Sequence, residues 1–321
     1  MKEFLRACAA YAGGDPSDEL RQLTGEFLRS ARDDASLVEK AAGALKALPP
    51  RGTAWLAVAI GAAVEDGANA ELSARPLVER ILSWLPQLPA ESGSTPTPAQ
   101  VELLDAFKPL ARSAVAHLAR TAHLRSTLAQ DLELLDRLAV LEEYSAGAAW
   151  IREMLLRSSG SLILLHPPSG RGFRVQYTNV ATCFHLFSLL QTAIGEQIPG
   201  GRKPDSRIAD VARGRAHEQV SDEAWWHYGD PHSNVAALTA SVWGEALVRE
   251  IPVIDGERVI LLWPPILVSR GWDSSFFGPQ LDALAPDAVV QSELSTADCA
   301  TWFAKLGVRR GRRFRWWPWV S

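Results

Sequence analysis

Residues able to do chemistry gather in the second half of this chain, at three places. The first is the turn His166-Pro167-Pro168-Ser169-Gly170-Arg171-Gly172, with Arg174 just beyond. Glycines let backbone N–H groups converge, and arginine adds a forked cation, so this turn could hold a carboxylate or phosphate. The plain alternative is a surface hairpin loop, since proline and glycine make turns without any ligand. The second is Trp225-Trp226-His227-Tyr228-Gly229-Asp230-Pro231-His232. His227, Asp230 and His232 have donor types suited to a divalent metal, and a neutral imidazole suits general-base work. Their spacing matches no metal motif on a helix or strand, so no metal is expected. A ligand-lining role for Trp226, His227 and Asp230 fits an aromatic wall with a few polar groups. Trp272 and Asp273 could border the same pocket. Cys183 and His185, two apart on an apparent helix, point to different sides and make no dyad.

The third is the C-terminus. Arg309, Arg310, Arg312, Arg313 and Arg315 interleave with Phe314, Trp316, Trp317 and Trp319. Residues 161–308 carry 11 basic and 16 acidic side chains, so this tail is a cation on an acidic body. Arginine pairs with phosphates, and indoles stack on bases or sit at a membrane interface. The intramolecular alternative has Arg planes covering the protein's own aromatics, by cation–π contact.

The elements that must position these groups follow from periodicity. Residues 1–160 read as helix after helix. Asp15-Pro16-Ser17-Asp18 is a helix start, followed by Leu20, Leu23, Phe27, Leu28 and Ala31 at helical spacing. Similar stripes cover residues 37–48, 55–64 and 77–85. Thr97-Pro98-Ala99-Gln100 is a capping box opening a stretch over 98–124, with a kink predicted at Pro109, and another stretch covers 127–157. Paired helices of similar length suggest either an irregular bundle or a short helical-repeat array. The second part mixes strand and helix. Residues 162–165 and 173–177 read as strands around the first turn, and 181–194 as an amphipathic helix. Asp255-Gly256 between two apolar runs is the strongest hairpin signal. Residues 288–290 read as a strand, 295–307 as a helix and 312–319 as a terminal strand. The fold class is therefore α+β: a helical domain over 1–157, a linker over 158–161, and an aromatic-rich domain over 162–321 with a largely antiparallel sheet.

Composition closes off several classes. The 321 residues carry 33 basic and 37 acidic side chains, too balanced for a protein that is cationic throughout. Nine of twelve tryptophans follow residue 160. Three scattered cysteines make neither a disulfide framework nor a thiolate metal cage. No Walker loop, G-x-G-x-x-G, H-E-x-x-H, C-x-x-C or G-x-S-x-G is present, so there is no nucleotide or dinucleotide motif. The start has charges of both signs and no signal-peptide pattern, and the longest apolar run is too short for a transmembrane span, so a cytoplasmic protein is expected.

Three functions remain. The leading one is a non-catalytic accessory protein that recognises a protein or peptide through its Trp-rich domain, since tryptophans make strong anchors. The alternative is an enzyme or ligand-binding protein, metal-dependent or not, with a pocket built from His166, Arg171, His227 and Asp230. A third is association with nucleic acid or an anionic membrane through residues 309–321.

Overall fold

The fold is that of a computed structural model, which describes residues 1–199, 206–213, 215–216, 220–221, 226–233, 235–266, 270–271 and 284–308. The chain divides into two compact units, Met1–Leu156 and Arg157–Ser321.

The first unit is all helix: α1 (Lys2–Ala10), α2 (Asp18–Asp33), α3 (Ser36–Ala44), α4 (Pro50–Glu65), α5 (Glu71–Trp84), α6 (Pro98–Arg120), α7 (Ala122–Leu128), α8 (Leu132–Leu141) and α9 (Ala146–Leu156). Thr97 and Gln100 cap each other reciprocally, with Pro98 in the first turn, as the sequence implies. Within Asp15–Asp18 the cap is Ser17, which accepts the Leu20 N–H, so Pro16 lies before the helix and not, as expected, at its first position. The 98–124 stretch is α6, unbroken through Pro109, followed by the start of α7. The expected 127–157 stretch is broken into the end of α7, α8 and α9. Asp131 caps α8 by accepting the Leu134 N–H at 2.9 Å, starting a new helix inside an apolar pattern that looked continuous.

α4 packs on α6 and α6 on α9, while α3 packs on α5. Two of the helix pairs close alike. α3 ends in the 3-10 turn Leu45–Ala47 before Leu48-Pro49, and α5 ends in Leu85–Gln87 before Leu88-Pro89. Arginines from later helices satisfy these ends. Arg80 donates to Leu48 O at 2.9 Å, and Arg137 donates to Leu85 O and Leu88 O at 2.8 and 2.9 Å. This shared Leu-x-x-Leu-Pro closure escapes a search for fixed-period similarity because only the turn repeats.

Gly52 lets α4 approach α1 closely: a Cβ there would lie 2.3 Å from the Cys8 carbonyl oxygen. Backbone cannot swing aside as a side-chain tip can. Gly52→Ala is therefore expected to cost about 1–3 kcal/mol, read as a lower urea midpoint at unchanged slope.

The second unit contains β1 (Ser158–His166), β2 (Arg171–Val180), α10 (Cys183–Ile194), α11 (Ser206–Ala212), β3 (Val220–Ser221), β4 (His227–Gly229), β5 (Val253–Ile254), β6 (Glu257–Trp263), β7 (Arg270–Gly271), β8 (Asp287–Glu293) and α12 (Thr296–Lys305). Six strands form one sheet in the order β4-β6-β1-β2-β8, with β5 also on β6; β3 and β7 pair separately. β1 and β6 run parallel, and every other pair in the main sheet is antiparallel. An all-helical part followed by this mostly antiparallel sheet is the α+β class that the sequence implied. Asp255 and Gly256, with φ of 50° and 81°, make the tight turn between β5 and β6.

Ser158–Ser161, expected as linker, is the first half of β1. Its Ser/Gly composition hides a strand paired with the end of β2. A Cβ on Gly160 would lie 2.9 Å from the Tyr177 hydroxyl, so the small residue serves a close cross-strand contact.

Side chains alternate between the two faces of the sheet. Leu162 and Leu164 of β1, with Ile260 and Leu262 of β6, pack with Phe187 and Leu190 of α10. Ile163, Leu165, Val259 and Leu261 pack instead with Cys299 and Phe303 of α12.

Candidate functional site

The directions of the strands bring several of the singled-out residues to one end of the sheet. β1 and β6 finish there at His166 and Trp263, while the antiparallel β2 and β4 begin there at Arg171 and His227. β8 finishes there too, at Glu293. His166 continues the Leu162-Leu164 row on the α10 face, where its ring meets the edge of Trp226 with centroids 5.3 Å apart. His227 lies opposite Trp263 in register, and Trp263 packs with the α12 face. His166, Arg171 and Trp226 thus come together, while His227 is on the other side of the sheet.

Asp230 does not join them. It follows the far end of β4, where its N–H donates to Ala240 O and its Oδ1 accepts the His232 N–H, both at 2.8 Å. That is a local Asx turn, with His232 exposed. The four-residue pocket of His166, Arg171, His227 and Asp230 is not assembled. Among the described residues no group of three or more His, Cys, Asp or Glu side chains could hold a metal ion.

The turn after β1 is built as its sequence suggested. His166 O accepts the N–H of Gly170 at 3.0 Å, and Gly170 takes φ 70°. Its cations, however, are already engaged. Arg171 grips Glu293 with both arms of the fork, at 2.5 and 2.7 Å, and also donates to Gln197 O just past α10. This pairing holds the Glu293 carboxyl below its usual range and raises Arg171. Arg174 donates to Glu257 at 2.8 Å.

His166 is only 2% exposed, and its Nδ1 lies 2.7 Å from Ser169 Oγ. Burial, then the positive charge of Arg171, push its pKa down to about 4, so the ring is neutral at pH 7. Cys183 is buried and its thiol is pushed up to about 12, mainly by desolvation, which removes it as a nucleophile.

Two features had escaped the sequence reading. Ser73 and His117 sit 2.8 Å apart between α5 and α6, with His117 Nδ1–H donating to Ser113 O and Ser73 Oγ–H to Nε2. That is the hydrogen-bond order of an activated serine, but neither residue has solvent access, so no substrate reaches it. The pair satisfies polar groups inside the helix packing.

Trp243 is the second, with 52% of its surface exposed. The backbone around it is pinned on both sides. Val242 N–H donates to Tyr228 O at 2.9 Å, and Gly229 and Ser241 form a β-bridge. Gly244 O and Ala246 O accept the N–H groups of Phe184 and Cys183, each at 2.8 Å, satisfying the start of α10. A Cβ on Gly244 would strike the Phe184 ring at 2.5 Å. Periodicity could not single out Trp243, because it lies in a segment with no regular alternation.

Trp225, Trp272, Asp273 and all of residues 309–321 lie outside the described residues. No helix among the described residues is long and apolar enough to cross a membrane. No protein-family model, curated protein or solved structure matches this chain.

Proposed function

We propose that this is a non-catalytic interaction protein whose second unit recognises a protein or peptide partner, with Trp243 as an anchor. The observation that carries this reading is a half-exposed indole on a backbone tied to both β4 and α10. An anchor on fixed backbone loses little conformational freedom on binding, and tryptophan is enriched among the residues that dominate interface energies. Val235 and Leu238, in the same segment, are also exposed. The engagement of Arg171 and Arg174 with acids of the same unit supports this reading over an enzyme. The three cysteines are free and buried, in keeping with a cytoplasmic setting.

The test is a random-peptide display library selected on the whole protein, with Trp243→Ala in parallel. Because the side chain is half exposed, the variant should keep the wild-type melting temperature. Selected peptides are expected to lose about 30-fold in affinity on the variant, as removal of an anchor costing about 2 kcal/mol would give. Peptides that bind both proteins equally would remove Trp243 from the reading, and failure to select any sequence would overturn it.

A further inference from the structure

The Trp243 turn carries a charge as well as a ring. Ala246 N–H donates to Trp243 O at 3.2 Å, so Trp243–Ala246 is a β-turn, whose end Cα atoms lie within about 7 Å of each other. Gly244, its second residue, is buried against Phe184, while Trp243 and Glu245 are both exposed. An indole and a carboxylate thus stand on one short turn, whose backbone is fixed to α10 through Gly244 O and Ala246 O.

That carboxylate is unused by the fold. Residues 229–250 carry Asp230, Glu245 and Glu250 against a single arginine, Arg249. Asp230 holds the His232 N–H, and Glu250 holds the Leu247 N–H at 3.0 Å. Elsewhere in the unit Asp255, Glu257, Asp287 and Glu293 pair with Lys305, Arg174, Arg213 and Arg171. Among the described residues Glu245 has neither a hydrogen bond nor an ion pair, with Arg249 or with any other cation. A solvated glutamate alone says nothing of a ligand. Beside an exposed indole on fixed backbone, it gives the ring's partner a sign.

Resting on the reading of Trp243 as an anchor, we infer that the partner presents an arginine to this turn, its guanidinium plane on the indole face and its fork donating to Glu245. Arginine suits both groups, because it is planar, weakly hydrated and carries parallel N–H groups that match a carboxylate. Lysine meets the carboxylate only as a point charge and has no plane to stack.

The test uses the whole protein and two random-peptide display libraries, one with arginine fixed at the centre and the other with leucine. Binders are expected from the arginine library. Replacing that arginine by citrulline, which keeps the shape and removes the charge, should cost about tenfold in affinity. Glu245 is exposed, so Glu245→Gln should melt with the wild type. It is expected to lose about fivefold in affinity for the arginine peptide and nothing for the citrulline peptide, a coupling that a merely structural effect would not give. Added salt should weaken the arginine peptide more than the citrulline one. Binders from the leucine library alone would overturn the inference. So would an arginine peptide that binds equally well as citrulline, or equally well to Glu245→Gln. In each of these cases the anchor reading stands if Trp243→Ala still loses affinity. If neither library yields a binder, both readings fall.

Discussion

Acidification from pH 7 to below pH 4 is expected to remove about 3 kcal/mol of stability through a single imidazole, that of His166. In the unfolded chain this histidine titrates near 6.5, and in the fold near 4. Between those values the unfolded state binds the proton and the native state resists it. The contribution is therefore complete above pH 6.5 and drains away as pH falls towards 4. The cause is desolvation first, because the ring is enclosed beside Trp226, and then Arg171, which makes a second positive charge unwelcome. His117 in the first unit is shifted the same way, chiefly by burial, so whole-protein acid curves contain both histidines.

Urea titrations at several pH values separate the two. His166→Gln should flatten the pH dependence of the tryptophan-fluorescence transition between pH 6.5 and 4, leaving the His117 component. An unchanged slope in that variant would show that His166 is not held neutral by the fold.

The same histidine illustrates how much of this site could be read in advance. The sequence places His166, Arg171 and Gly170 in one turn, because proline and glycine specify the reversal whatever the rest of the chain does. It also flags Trp226 and His227 as a pair. The error was to send both to one pocket: in β4 adjacent residues face opposite sides, so Trp226 goes to the α10 face and His227 to the α12 face. The partners of the arginines were invisible, since Glu293 is 122 residues from Arg171 and Glu257 is 83 from Arg174. Such pairings follow from strand order, and no local pattern encodes them.

The helical unit was more legible for the opposite reason: its stripes and caps are local. Even there Asp131 started a helix inside a pattern that looked continuous. Ser158–Ser161 misled in the reverse direction, because its partner strand, not its own composition, makes it β.

Tyr228→Ala is expected to be the most damaging single change in the second unit, at about 3–5 kcal/mol. β4 has only three residues, too few for its ladder alone to hold it on the sheet. Tyr228 supplies the rest. Its ring stacks on Phe187 of α10 at 3.8 Å with an interplanar angle of 1°, and its hydroxyl donates to Phe187 O at 3.1 Å. Truncation leaves a cavity between helix and sheet and an edge strand with little to fix it. Tyr228→Phe keeps the stack and loses the hydrogen bond, for a cost of about 1 kcal/mol. Thermal and urea unfolding of the two variants give the comparison. The consequence reaches the proposed anchor, because the Trp243 segment hangs from the Tyr228 carbonyl through Val242. Tyr228→Ala should therefore weaken peptide binding together with stability, whereas Trp243→Ala should weaken binding alone. If Tyr228→Ala left peptide binding intact, β4 would not be the element that positions Trp243.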